Sequence, residues 1–236
     1  MATRAEDGLS AARQAGGERA AGASAGTVDA PGATRQATAG RRPRLVVVTG
    51  LPRSGTSMAM RMLGAGGVPL VDDGRRAPGP GNPHGWFEDE RVRRLRAESA
   101  WLHDAVGRAV KIVLPLVSAI PDGIACDVVW MRRPLAEVLE SQRRLLAEAA
   151  PGASPRSEPA VDDDAILAHA CERAEAACIR WLRERPSTRW LELECARVQA
   201  DPGRASGLLA EFVGEPFDRA ASAAAVDRSL YRVRSV

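Results

Sequence analysis

The sequence predicts an α/β fold built on a parallel sheet, and three observations lead to it. Short buried-type runs at 45–49 (LVVVT), 124–131 (IACDVVWM) and 190–195 (WLELEC) are each followed by a stretch with helical spacing of apolar residues. Strands that alternate with helices in this way pair in parallel, because each return crossing is made by the helix. The first run also passes directly into a turn bounded by Gly50 and Gly55 and then into a helix start, a strand–turn–helix order that places backbone N–H groups at one end of the sheet.

Taken in order, residues 1 to about 43 are rich in Ala, Gly, Arg, Ser and Thr without apolar periodicity, the composition of a disordered tail. The domain proper is expected from residue 44 to 236. Residues 54–64 present an apolar helical face through Met58, Met62 and Leu63, closed by the glycines that follow. Residues 72–85 (DDGRRAPGPGNPHG) are dense in turn formers and read as a mobile surface loop. A helix is expected from Glu90 to about Ala105, with Arg91, Arg93, Arg94 and Arg96 on a solvated face. A short strand follows from Ala109 to Leu116, ended by Pro115. After the second buried run, Pro134 suits the start of a helix reaching about Ala150. Residues 151–161 read as a flexible connection, Asp162 to Arg185 as a strong helix, and Pro202 to Val213 as a further one. Cys171 and Cys178 share the apolar face of the long helix with Ile179 and Leu182.

Composition narrows the function. With 236 residues, 45% hydrophobic content and a formal charge of +3, the chain can bury one sizeable core and is not balanced as a nucleic-acid binder. The four cysteines form no CxxC pair and no cysteine–histidine cluster at zinc spacing, so they read as core residues, without a metal site or disulfides, in a reducing, cytoplasmic setting. No run approaches the ~20 apolar residues needed to span a bilayer. Of 33 basic residues all but Lys111 are arginine, so a compact ammonium is written at one position alone.

The chemistry centres on Gly50-Leu-Pro-Arg-Ser-Gly-Thr-Ser57. The glycines are spaced as in the nucleotide-binding pattern GxxxxGK[ST], yet Thr56 stands where that pattern has its lysine, and Arg53 supplies the nearest charge. A helix N-terminus attracts an anion whatever the reaction, whereas polarising a terminal phosphoryl group beside Mg²⁺ relies on the missing lysine. This segment resembles the 5′-phosphosulfate-binding loop of sulfotransferases. That resemblance implies a P-loop nucleotide-kinase-like three-layer sandwich, with helices on both faces of a central parallel sheet, and 3′-phosphoadenosine-5′-phosphosulfate as donor without a metal.

Carried over residue by residue, the resemblance implies that Pro52, Arg53, Ser54, Gly55, Thr56 and Ser57 hold the 5′-phosphate. Trp130-Met-Arg-Arg-Pro134 leading to Ser141 resembles the 3′-phosphate-binding segment, which implies Arg132 and Ser141. These lie one residue further apart than is commonest, and Arg133 is the alternative. Lys111-Ile-Val-Leu-Pro115 resembles the Lys-Thr-His-Leu-Pro segment of the cytosolic enzymes, in which the lysine stabilises the transferring group and the histidine is the base. Val113 occupies the histidine position, so the base must come from elsewhere.

Asn82-Pro-His-Gly-Trp-Phe-Glu88 resembles a segment of bacterial members and offers Glu88 as first candidate base and His84 as second. Desolvation beside Trp86 and Phe87 is expected to raise the pKa of Glu88. Ser229-Leu-Tyr-Arg-Val-Arg234 resembles a closing segment, implying Arg232 at the nucleotide, while the Cys195-Ala-Arg-Val198 stretch departs from the family's Tyr-Glu-Asp-Leu. His103 and His169 read as surface or helix residues. With one Tyr, three Phe and five Trp in the chain, a small polar molecule or carbohydrate is the expected acceptor. The alternatives are a non-catalytic nucleotide-binding relative and a P-loop small-molecule kinase.

Overall fold

The computed structural model describes residues 42–79, 81–149 and 161–231, so all but the last two residues of the tail expected at 1–43, all but the last residue of the connection expected at 151–161, and Arg232 lie outside the described residues. Strand β1 (Leu45–Gly50) is buried along its whole length, as a strand covered on both faces must be. It pairs in parallel with β2 (Ala109–Lys111) on one side and β3 (Cys126–Arg132) on the other, and β3 pairs in parallel with β4 (Thr188–Glu194). The sheet order is β2-β1-β3-β4. Because the chain leaves β1 toward β2 and then returns past it to β3, the order reverses at β1. In open α/β sheets such a reversal opens a crevice at the carboxyl ends of the strands.

Alternation along β1 feeds two cores. Leu45 and Val47 pack with Val110, Cys126, Val128 and Trp130 against Cys178 and Leu182 of α3 (Val161–Arg183). Val46 and Val48 pack on the opposite face with Val129, Met131, Met60 and Leu63 of α1 (Thr56–Ala65), and Leu209 of the later helix at Pro202–Val213. Helix α2 (Leu135–Ala149) adds Val138 to the first core. After β4 come α4 (Cys195–Ala200), α5 (Pro202–Val213) and α6 (Arg219–Ala224). Asp201 caps α5 by accepting from the Arg204 N–H at 2.9 Å, and Pro202 sits at the first helical position.

Two expectations need correction. The single helix at 90–105 is instead two short 3₁₀ turns, Glu90–Arg94 and Ala100–His103. Its buried residues Val92 and Leu95 are three apart, as are Leu102 and Ala105, which matches the three-residue turn and offers no continuous α-helical stripe. The strand expected to reach Leu116 is regular only to Lys111, although the Ile112 and Leu114 N–H groups still bond to the Val48 and Gly50 carbonyls at 3.0 Å. Residues 72–79 and 81–85 carry neither helix nor strand. No described helix is long and apolar enough to cross a membrane.

Candidate functional site

A cavity of about 340 Å³ opens at the carboxyl ends of the strands and is lined by Pro52, Arg53, Gly55, Thr56 and Ser57 of the glycine-bounded turn. Gly50 has φ 149, and a Cβ there would lie 2.5 Å from the Met131 carbonyl oxygen, so the turn closes over β3 only because that residue has no side chain. Gly55, at φ 98, caps α1 with no side-chain hydrogen bond, and the first-turn N–H groups are left facing the cavity without intrahelical partners. Arg53 also adopts a left-handed backbone, φ 71, a conformation that is uncommon outside glycine and recurs at ligand-binding sites. Its guanidinium donates to Ser141 Oγ at 3.1 Å and to the Gly81 carbonyl at 3.3 Å. Burial, followed by repulsion from Arg133, lowers its pKa. A half-buried cation beside Arg133 and Arg76, with Glu148 offsetting them in part, is an environment that suits an anion.

Lys111 leaves the edge of β2 toward α1. Its Nζ donates to Ser57 Oγ at 3.3 Å, to Glu88 Oε1 at 3.1 Å and to the Trp86 carbonyl. Burial lowers its pKa, and Glu88 only partly offsets that. Glu88 is also gripped by Arg76, whose Nη1 stands 3.2 and 3.0 Å from the two carboxylate oxygens and whose guanidinium stacks over Trp86 at 3.4 Å. The expectation of a raised Glu88 pKa is therefore corrected. Desolvation does push it up, but the Lys111 and Arg76 charges outweigh that and hold it below the ordinary carboxylate range.

Arg132 and Arg133 point to opposite sides. Arg132 lies over Trp130 and pairs with Glu175 and Glu192 at 3.5 and 3.6 Å, away from the cavity lining. Arg133, on the Met131 side of the alternation, lines the cavity, donates to the Arg53 carbonyl at 3.0 Å and to Glu137 at 2.9 Å, and stacks on Tyr231. Of the two arginines it is the one placed beside Ser141's partner, Arg53. Ser54 is buried under the turn, and its Oγ has no hydrogen-bond partner among the described residues.

His84 lines the cavity with its Nε2 2.7 Å from Oδ2 of Asp227, whose pKa falls to about 2, mainly through that hydrogen bond. Sequence reading did not identify Asp227, Arg76, Arg61, Gln199 or Tyr231, which also line the cavity; each is an ordinary residue in an ordinary stretch until the chain folds. The cysteine thiols are unbridged, and burial raises Cys126 and Cys195 to about 11 and Cys178 to about 12, which keeps them protonated and inert. Among the described residues no three His, Cys, Asp or Glu side chains converge as a metal site would need.

No family model and no curated protein matches the sequence. Among solved structures, the sulfotransferase domain of the Synechococcus PCC 7002 olefin synthase aligns with a TM-score of 0.51 at 16% identity, over 85% of this chain and 92% of that one. The sulfotransferase STF1 from Mycobacterium tuberculosis H37Rv gives 0.47 at 17% identity, over 82% of this chain and 74% of that one. A sugar kinase from Janibacter sp. HTCC2649 gives 0.39 at 16%, over 73% and 97%. The open parallel sheet thus shares its fold with the olefin synthase domain.

Proposed function

We propose that the protein is a sulfotransferase that moves a sulfuryl group from 3′-phosphoadenosine-5′-phosphosulfate to a hydroxyl of a small polar molecule or carbohydrate. The observation that carries this reading is the pairing of an uncapped, lysine-free phosphate turn with the Lys111 ammonium, which is anchored to Ser57 at the mouth of that turn. The fit rests on the residues present: the first-turn N–H groups of α1, the buried Arg53 guanidinium and Arg133 converge on one cavity and form a cationic cradle. When bound, the donor supplies a sulfuryl group on an activated phosphate oxygen.

In this reading the turn, with Arg53, Thr56 and Ser57, holds the 5′-phosphate, and Arg53, Arg133 and Ser141 serve the second phosphate. Lys111 stabilises the charge that develops on the bridging oxygen as the acceptor oxygen bonds to sulfur and the sulfur–oxygen bond to phosphate breaks. The acceptor hydroxyl reaches past Lys111 into the first cavity and gives its proton to His84, which lines that cavity and is oriented by Asp227 as a base is oriented by a carboxylate. Glu88, first in order by sequence, becomes the counter-charge that positions Lys111, because two cations already occupy its oxygens.

The acceptor side is supported by a second cavity of about 610 Å³ that shares Arg76, Glu88, Lys111 and Val113 with the first. Charged side chains such as Asp73, Arg75, Glu90 and Arg93 line the rest, with no aromatic ring among them, a lining suited to a hydroxyl-rich acceptor.

Calorimetry without magnesium tests the reading. Adenosine 3′,5′-bisphosphate is expected to bind in the micromolar range and ATP more weakly, and Arg53→Ala to abolish the difference. Preference for ATP with magnesium would establish a P-loop kinase instead, and tight binding without turnover on any hydroxyl acceptor would establish a non-catalytic relative.

A further inference from the structure

The larger cavity, on the acceptor side, is lined by four carboxylates and four cations, and each carboxylate already has its donors. Asp73 accepts from the backbone N–H groups of Arg75 and Glu90 at 2.9 and 2.8 Å. Glu88 is held by Lys111 and Arg76, and Glu90 by Arg75. Both oxygens of Asp89 accept from Arg91, at 2.9 and 2.7 Å, and Arg91 is not part of the lining. With one carboxylate served from outside and another by backbone groups, a lining cation is left without a partner.

That cation is Arg93. It makes no hydrogen bond or ion pair among the described residues, whereas Arg91 and Arg94 on the same turn are bound to Asp89 and Glu98. Its direction follows from local geometry. In the 3₁₀ turn Glu90–Arg94 three residues complete a turn, so Arg93 stands on the side of Glu90, which also lines the cavity, while Val92 is turned into the core. Glu90 is the i,i+3 neighbour that could pair with Arg93, and Arg75 takes it. The wall thus presents a planar guanidinium fork beside carboxylates that are already engaged, which favours an anion on the ligand and disfavours an ammonium.

Resting on the sulfuryl-transfer reading above, we infer that the acceptor carries a carboxylate besides its reacting hydroxyl, and that Arg93 holds this carboxylate and selects hydroxy acids over neutral alcohols. The hydroxyl points to Lys111, where the two cavities meet, and the carboxylate stays in the outer one at Arg93. Val92, Val113 and Leu116 supply the apolar part of the same lining, suited to the carbon frame between the two groups. One unpartnered fork matches one planar, singly charged group. A doubly charged phosphate ester would leave excess negative charge beside Glu88 and Glu90.

The test uses protein saturated with adenosine 3′,5′-bisphosphate, into which glucuronate and glucose are titrated and followed by ligand-observed NMR. Wild type, Arg93→Gln, Arg93→Lys and Arg96→Gln are compared. The wild type is expected to bind glucuronate more tightly than glucose by about three- to tenfold, the scale of one partly solvated ion pair. Arg93→Gln brings that ratio to about one by weakening glucuronate alone, and Arg93→Lys, which keeps the charge without the fork, retains part of it. Arg96 is also exposed and without a partner among the described residues, but it lies outside the cavity lining, so Arg96→Gln leaves the ratio at its wild-type value. Equal losses in Arg93→Gln and Arg96→Gln would mean that diffuse surface charge attracts the acid, and would overturn the assignment. A wild type that binds glucuronate no better than glucose, or binds neither sugar, overturns it too. In all these cases the bisphosphate is still bound and the donor reading stands. Failure of the wild type to bind the bisphosphate overturns the donor reading and this assignment together.

Discussion

Lys111 occupies a position where its charge is expensive: it is buried, and its three donors are directed to a hydroxyl, a carbonyl and a carboxylate. A chain that otherwise writes positive charge as arginine keeps the compact ammonium at the point where three acceptors, Ser57 Oγ, the Trp86 carbonyl and Glu88, converge. Lys111→Met should leave the affinity for adenosine 3′,5′-bisphosphate near the wild-type value and reduce turnover by about 10²–10³-fold, as is typical when one donor to developing charge is removed. Equal losses in binding and turnover would show that Lys111 only holds the loop. Glu88 gives a pH signature. Its native pKa lies below the ordinary 4.5, so in that window the unfolded chain binds more protons and stability rises with pH. Urea unfolding should therefore find Glu88→Gln less stable than the wild type at neutral pH, by about 1 kcal/mol after allowance for partial exposure. The gap should close as pH falls below 4.5 and through the native pKa. A gap that persists in acid would mean that the loss comes from packing.

At the scale of elements, what could be read from the sequence was what depends on local pattern. β1, α1, β3, α3 and α5 appear close to where their spacing and caps place them, because each carries a strong periodic signal between clear punctuation such as Gly50, Gly64 or Pro202. The 90–105 segment misled because its composition favours α-helix, while its burial is set by packing against Val110 and Ile112, a long-range fact that no local window contains. The site divides in the same way. The glycine-bounded turn and Lys111 announce themselves locally, whereas the His84–Asp227 and Arg76–Glu88 pairs, 143 and 12 residues apart, exist only once the loop and the C-terminal turn meet the sheet. Gly50 joins the local and the global. It is read as a turn glycine, and the fold adds a backbone carbonyl 2.5 Å from any Cβ. Gly50→Ala should lower stability by at least about 1–3 kcal/mol through its left-handed φ alone, and should lose nucleotide binding. Wild-type denaturation with intact binding would mean that the turn tolerates another path.

Across the whole molecule, the same ladder that builds the core sets out the chemistry. Both faces of the sheet are buried, so the polar groups of the cavity gather at the carboxyl ends of the strands, where the order β2-β1-β3-β4 spreads them from Lys111 through the glycine-bounded turn to Arg133 and α4. Buried Asp127 fastens the opposite end of the sheet through Arg44, 2.5 Å away, and Arg189. The candidate site and this fixation thus lie at separate ends, and the site edge is lined by loops. The two cavities meet at Lys111, Glu88, Arg76 and Val113, so a donor and an acceptor approaching from opposite sides would meet at the ammonium. Leu116 lines the second cavity and not the first, which makes it a probe of that division. Filling the acceptor side with Leu116→Trp should raise the acceptor KM by about tenfold or more and leave the affinity for adenosine 3′,5′-bisphosphate unchanged, since the added ring excludes one partner only. If nucleotide affinity falls instead while the acceptor KM holds, the second cavity belongs to the donor and the acceptor must enter past His84.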